Sequence, residues 1–375
     1  MLCLAEVGSR FKDTGGPYLY AKESLGLTPA FWVGWFVWLT RLTAFAALCN
    51  LFLDYLGVIW PAAATGLTRG ILAALIVISL TTVNLIGVRK SALFIDIFTV
   101  GKLFPLLLFI LIGLFFIDTN NFSFEKIPNY GTFSTSVLLL IFAFSGFEAG
   151  VIPAGETKDP RRHISFAIFT MIAVVFFFYL GIQFVCIGTL PNLAESKTPL
   201  ADAAGLFLGN TASFVITIGA LISITGTLNS IMLTGPRALF AMAENKQLPG
   251  LFKEIHNRFH TPHISILLSG GIVLILTLWG DFISSVKIST LIRLITYAVT
   301  CLSVPILRRK KNLDAPFYRM PLGNLITFLS LILIVWLVTN TSWQEIRDLG
   351  ITALIGLILF YYNKISRKKS YSKKL

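Results

Sequence analysis

Ten apolar runs govern what this chain can become: 30–56, 68–88, 93–117, 133–156, 164–190, 211–235, 264–281, 285–307, 323–340 and 346–363. Crossing roughly 30 Å of hydrocarbon takes about 20 apolar residues in a helix. Lipid offers a backbone N–H or C=O no outside partner, so each run is expected to close its hydrogen bonds internally, as a helix. A transmembrane barrel would show alternating segments of about ten residues instead. Composition points the same way. Of 375 residues, 55% are hydrophobic and 13% charged, and the mean hydropathy is +0.78. A soluble domain carries about 25% charged residues, so the balance argues against a soluble enzyme, a disordered chain and a disulfide-stapled secreted module. The expected fold class is an all-α membrane protein, a polytopic helical bundle of about ten spans.

The net charge of +13 would point to nucleic acid in a soluble protein, but its distribution decides otherwise. Only Arg69, Lys126, Lys197, Lys287 and Arg347 fall in one set of loops, and Arg41, Lys102 and Arg293 fall inside spans. All other Lys and Arg lie in the opposite loops and the termini. The positive-inside rule then puts both termini in the cytoplasm, which requires an even number of spans. Trp60, Trp279 and Trp343 lie at predicted outer ends, as interfacial rings should. The basic tail 364–375 is read as a disordered cytoplasmic end, and 191–210, with Pro191 and Pro199, as a re-entrant or interfacial helix. Cys3, Cys49, Cys186 and Cys301 have no short spacing and read as small buried hydrophobes. The expected partners are a lipid bilayer and a small solute, with no nucleic acid.

Ionisable groups deep in a span are expensive and are functional candidates by default. Arg41, Lys102, Glu148 and Arg293 qualify. Span 133–156 is uncharged from Phe133 through Phe147, then carries Glu148 among Gly146, Gly150 and Pro153, which are poor helix formers. Two readings exist. The glycines can form a small-x-x-x-small helix contact. Alternatively, the helix unwinds and exposes carbonyls and half-helix ends to a charged ligand. Glu148 and Ser145 favour the second. Lys102 either snorkels to the interface or is a desolvated lysine that binds and releases a coupling proton. Arg41 cannot shed its charge and needs a partner, either Glu148 or a substrate carboxylate. Trp32, Trp35 and Trp38 before it read as a packing stripe, and Arg293 as reaching the outer interface. His256, His260 and His263 lack a repeated ligand pattern and read as a solvated loop, so no metal is expected.

Several motifs resemble the amino acid–polyamine–organocation superfamily of permeases. They are Leu4-Ala5-Glu6-Val7-Gly8-Ser9-Arg10-Phe11 with Thr14-Gly15-Gly16-Pro17-Tyr18, Phe142-Ala143-Phe144-Ser145-Gly146-Phe147-Glu148 followed by Gly155-Glu156-Thr157-Lys158-Asp159-Pro160, and Pro236-Arg237-Ala238-Leu239-Phe240. The resemblance covers essentially the whole chain. It implies a five-plus-five inverted-repeat transporter fold, with an unwound sixth helix binding substrate around Phe142, Phe144, Ser145, Gly146, Phe147 and Glu148. It also implies gating or proton coupling at Glu148, and a titrating ammonium at Lys102. On this reading 1–29 is the end of the family's second helix and a cytoplasmic loop. Residues 30–307 are the transporter core, 308–363 two peripheral helices and 364–375 the tail. The family's first helix and most of its second are missing, so the chain reads as N-terminally truncated and Met1 as internal or a misassigned start. If the chain starts there, half of the binding site is gone and defective transport is expected.

The resemblance therefore implies a secondary transporter of amino acids in a cell membrane, a bacterial inner membrane, working by alternating access. Its coupling is to protons or to exchange, with sodium open, and no cofactor is expected. A non-transporting remnant and a membrane-embedded enzyme are the alternatives, the latter weakened by the dispersal of the acids.

Overall fold

The computed structural model describes residues 1–12, 15–87, 103–122, 129–151, 159–310 and 312–372, and these contain helices and no strand. In chain order the α-helices are α1 (Leu2–Gly8), α2 (Gly16–Leu25), α3 (Leu27–Ile59), α4 (Gly66–Ile86), α5 (Leu103–Gly113), α6 (Tyr130–Ala143), α7 (Pro160–Thr189), α8 (Pro199–Leu208), α9 (Asn210–Glu244), α10 (His263–Trp279), α11 (Phe282–Arg309), α12 (Gly323–Thr339) and α13 (Trp343–Ser372).

Local chemistry sets many of the ends. α3 stops where Pro61 forces Trp60 into extended backbone (φ −133°, ψ 91°). α7 opens on Pro160, whose missing N–H would be unpaired at a helix start in any case. α11 opens on Asp281, whose carboxylate accepts the Ser284 N–H at 3.4 Å.

Among the described residues, five helices are singly long and apolar enough to cross a membrane: Leu27–Ile59, Gly66–Ile86, Arg161–Thr189, Asn210–Glu244 and Phe282–Arg309. The expected span 264–281 is a 17-residue helix, α10. The expected span 93–117 begins outside the described residues, and 133–156 is α-helical only as far as Ala143. The last two expected spans, 323–340 and 346–363, meet as one pair bent by 108°. A reciprocal cap starts the second of them. The Ser342 N–H donates to Glu345 Oε2 (2.9 Å) and the Glu345 N–H to Ser342 Oγ (3.4 Å). The segment 191–210 contains the short helix α8, whose Ala201, Ala203 and Ala204 are buried.

α3 is the spine of the bundle. Its Phe31, Trp35, Trp38 and Phe45 share the largest core with Leu228, Met232 and Met242 of α9 and Ile292 of α11. The tryptophan stripe is packing: Trp35 Nε1 donates to the Thr352 carbonyl (3.1 Å) and Trp38 Nε1 to Ser269 Oγ (3.0 Å). Phe115, Leu67, Phe166 and Phe177 lie open on the outside, a distribution that suits a lipid solvent.

A second core joins Leu4 and Val7 of α1 to Ile164, Leu307 and Met320. Beside it Glu6, fully buried, takes two bonds from Arg308 (Nε 2.7 Å, Nη2 2.6 Å) and one from the Met320 N–H (2.9 Å). This fork ties α1 to the end of α11 and the approach to α12. Glu6→Gln strands the Arg308 charge and is expected to cost about 3 kcal/mol, the low end for breaking a buried pair because Arg308 keeps some contact with water. The exposed Arg347–Asp348 pair (2.8 Å) should tolerate Asp348→Asn within about 0.5 kcal/mol. Thermal unfolding in detergent compares the two.

Candidate functional site

Three separate parts of the chain converge on one small cavity. The break after α6 delivers Glu148, α3 delivers Val37, Thr40 and Arg41, and α11 delivers Arg293, Thr296 and Tyr297, with the buried Pro17 of α2 beside them. The cavity measures about 20 Å³, room for roughly one water molecule.

The break is built from local chemistry. α6 ends at Ala143, a turn follows, and Phe147–Ala149 form a short 3-10 helix. Gly146 sits at φ +110°, where a side chain is strained. The groups freed by the interruption find partners. The Leu140 carbonyl accepts the Phe144 N–H (3.0 Å), and the Phe142 carbonyl accepts the Ser145 N–H (3.0 Å) and hydroxyl. Tyr179 of α7 donates its hydroxyl to the Ala143 carbonyl (3.0 Å), and the Gly146 N–H donates to Glu148 Oε2 (3.0 Å).

The same carboxylate is buried and holds the far wall. Tyr297 donates its hydroxyl to Glu148 Oε2 (3.0 Å), and Arg293 Nε stands 3.5 Å from Oε1. Arg293 is only 4% exposed. Its guanidinium lies over the Phe142 ring, 5.8 Å from the centroid, within cation–π range.

The sequence reading gave Arg41 either Glu148 or a substrate carboxylate as its partner and placed Arg293 toward the interface. In the structure the arginine within 4.0 Å of Glu148 is Arg293, buried in α11. Arg41 borders the same cavity with no ion pair or hydrogen bond among the described residues. Phe147 is buried against Tyr297, ring centroids 5.5 Å apart. Phe144 turns instead to Tyr179 of α7 (5.2 Å), and Ser145 caps its own turn. Neither lines the cavity. Lys102 lies outside the described residues. Sequence reasoning missed Thr296 and Tyr297, although Arg293, Thr296 and Tyr297 are spaced i, i+3, i+4 on one helix face.

No group of three or more His, Cys, Asp or Glu residues among the described residues is placed to hold a metal. His256 accepts the Arg258 N–H at 3.2 Å within its own loop.

Apolar helices enclosing a carboxylate and two arginines at a broken span make this a multi-pass membrane protein of transporter type. The family model described as Amino acid permease matches residues 1–360, and the chain belongs to that family. It is 29% identical over 380 residues to the serine/threonine exchanger SteT of Bacillus subtilis (strain 168), covering 98% of this chain and 86% of that one. To the methylthioribose transporter of the same organism it is 26% identical over 392 residues (99% and 84%). To its branched-chain amino acid permease BcaP it is 27% identical over 391 residues (98% and 83%). The family and these relatives are transporters, not enzymes.

At Gly146 an added Cβ would meet nothing within 4 Å, so Gly146→Ala isolates backbone strain and is expected to cost about 1–3 kcal/mol. Gly219, inside α9, is equally open, and Gly219→Ala should instead stabilise by about 0.5–1 kcal/mol. Paired melting curves in detergent read the opposite signs.

Proposed function

We propose that this protein is a secondary transporter of amino acids that works by alternating access, with its solute site at the break after α6. The observation that carries the reading is Glu148, a carboxylate buried where a span comes apart and bonded to both the broken segment and α11. Intramembrane acids of this kind serve ion and proton pathways, and interrupted helices bind charged solutes through their exposed ends. The permease family supports amino acids as the solute class. The membrane is the cell membrane, with both termini cytoplasmic on the strength of the basic-residue count.

Two couplings follow from different observations. The buried Glu148 supports proton coupling, in which one wall of the site is released when the carboxylate takes up a proton. The name of SteT, an exchanger, supports obligate exchange of one solute for another. Proteoliposomes separate them. Proton coupling predicts accumulation driven by a pH gradient into empty vesicles, lost in Glu148→Gln. Exchange predicts uptake only into vesicles preloaded with amino acid, unaffected by the gradient. No uptake of any amino acid under either condition would overturn the reading.

A further inference from the structure

We propose that the cavity recognises a solute of net negative charge, an amino acid with a side-chain carboxylate, and that Arg293 is the residue that receives that carboxylate. The proposal rests on the transport reading for its setting and on the charge inventory of the cavity for its content.

The inventory is short. Facing the cavity are two guanidiniums, Arg41 from α3 and Arg293 from α11, and one carboxylate, Glu148. The other lining residues are neutral: Pro17 of α2, Val37 and Thr40 of α3, and Thr296 and Tyr297 of α11. Glu148 is already shared between the Gly146 N–H, the Tyr297 hydroxyl and Arg293. An arginine cannot neutralise itself by losing a proton. Among the described residues the cavity therefore keeps one positive charge in excess.

The hydrogen-bond inventory points to the same ligand. Arg293 is 4% exposed, yet its Nη1 has no hydrogen-bond partner among the described residues and its Nε, in the ion pair with Glu148 at 3.5 Å, makes no hydrogen bond; the hydroxyl of buried Thr296 one turn along is likewise without one. Unsatisfied buried donors of this kind call for an explanation. A guanidinium presents its N–H groups in a planar fork that a carboxylate fits with two parallel bonds. A neutral amino acid brings one carboxylate and one ammonium and leaves the excess charge in place. An acidic amino acid brings two carboxylates and one ammonium and cancels it. Its ammonium has Glu148 to face, and its second carboxylate has Arg41.

The test compares acids with their own amides, which match in shape and differ in charge. The reconstituted chain is challenged with aspartate, glutamate, asparagine, glutamine and leucine, read first as ligand-induced thermal stabilisation in detergent and then as uptake. The acids should stabilise at concentrations at least about tenfold below their amides. Arg293→Lys should keep that preference, and Arg293→Gln should lose or reverse it. Amides or leucine stabilising the unsubstituted protein as well as the acids do, or no amino acid stabilising it, would overturn the proposal without recourse to any variant. Stabilisation by acids without uptake would sustain the charge preference and overturn the transport reading alone.

Discussion

The structure depends on how a polypeptide can be interrupted inside a membrane. Hydrocarbon cannot satisfy a backbone group, so a helix that stops in the middle of an apolar run must find every partner within the protein. α6 stops at Ala143, and its freed groups are met by its own turn, by Tyr179 and by Glu148. The carboxylate thus has two tasks. It caps the broken backbone at Gly146, and it reaches across to Tyr297 and Arg293 on α11. A neutral side chain could cap the break, but only a charged one also gives a buried arginine a counter-ion.

α3 carries its aromatic residues into the main core and anchors two of its indoles by hydrogen bonds to Thr352 and Ser269. α3 and α11 are themselves joined where Ser289 donates to the Thr40 carbonyl (3.3 Å). That contact lies one residue from Arg41 and four from Arg293. Two cations therefore sit on long helices, and the anion that faces them is carried by a short 3-10 helix at the break.

Much of this was legible in the sequence, for identifiable reasons. The apolar runs follow from the thickness of lipid, and the interruption was marked by Gly146 and Gly150 around the one deep acid. The bend before Trp343 was not read, although Ser342 three residues ahead of Glu345 is a capping-box spacing that marks a new helix start. The choice of arginine was not legible. Which of Arg41 and Arg293 approaches Glu148 depends on how α3 and α11 are rotated about their own axes. That rotation is set by the packing of Trp35, Trp38 and Ile292, which no span-by-span count contains. Arg293 was misplaced because depth was counted from the end of a run, whereas α11 starts at Phe282 and is buried along much of its length.

The size of the cavity bears on how a transporter of this design must move. About 20 Å³ admits one water, so a solute of amino-acid size needs more room than these walls leave. The walls are not equally free to withdraw. Moving α3 or α11 would disturb the largest core and the Ser289–Thr40 bond. Moving the Gly146–Glu148 segment breaks the Tyr297 hydroxyl bond and the Arg293 ion pair, while the bonds within the turn travel with it. That movement also costs apolar contact, because Phe147 is buried in the second core against Tyr297, so only the polar part of the loss is of a kind that an incoming charged solute can replace. The broken segment thus carries the smaller share of the apolar packing around the cavity, and the two arginine-bearing helices the larger.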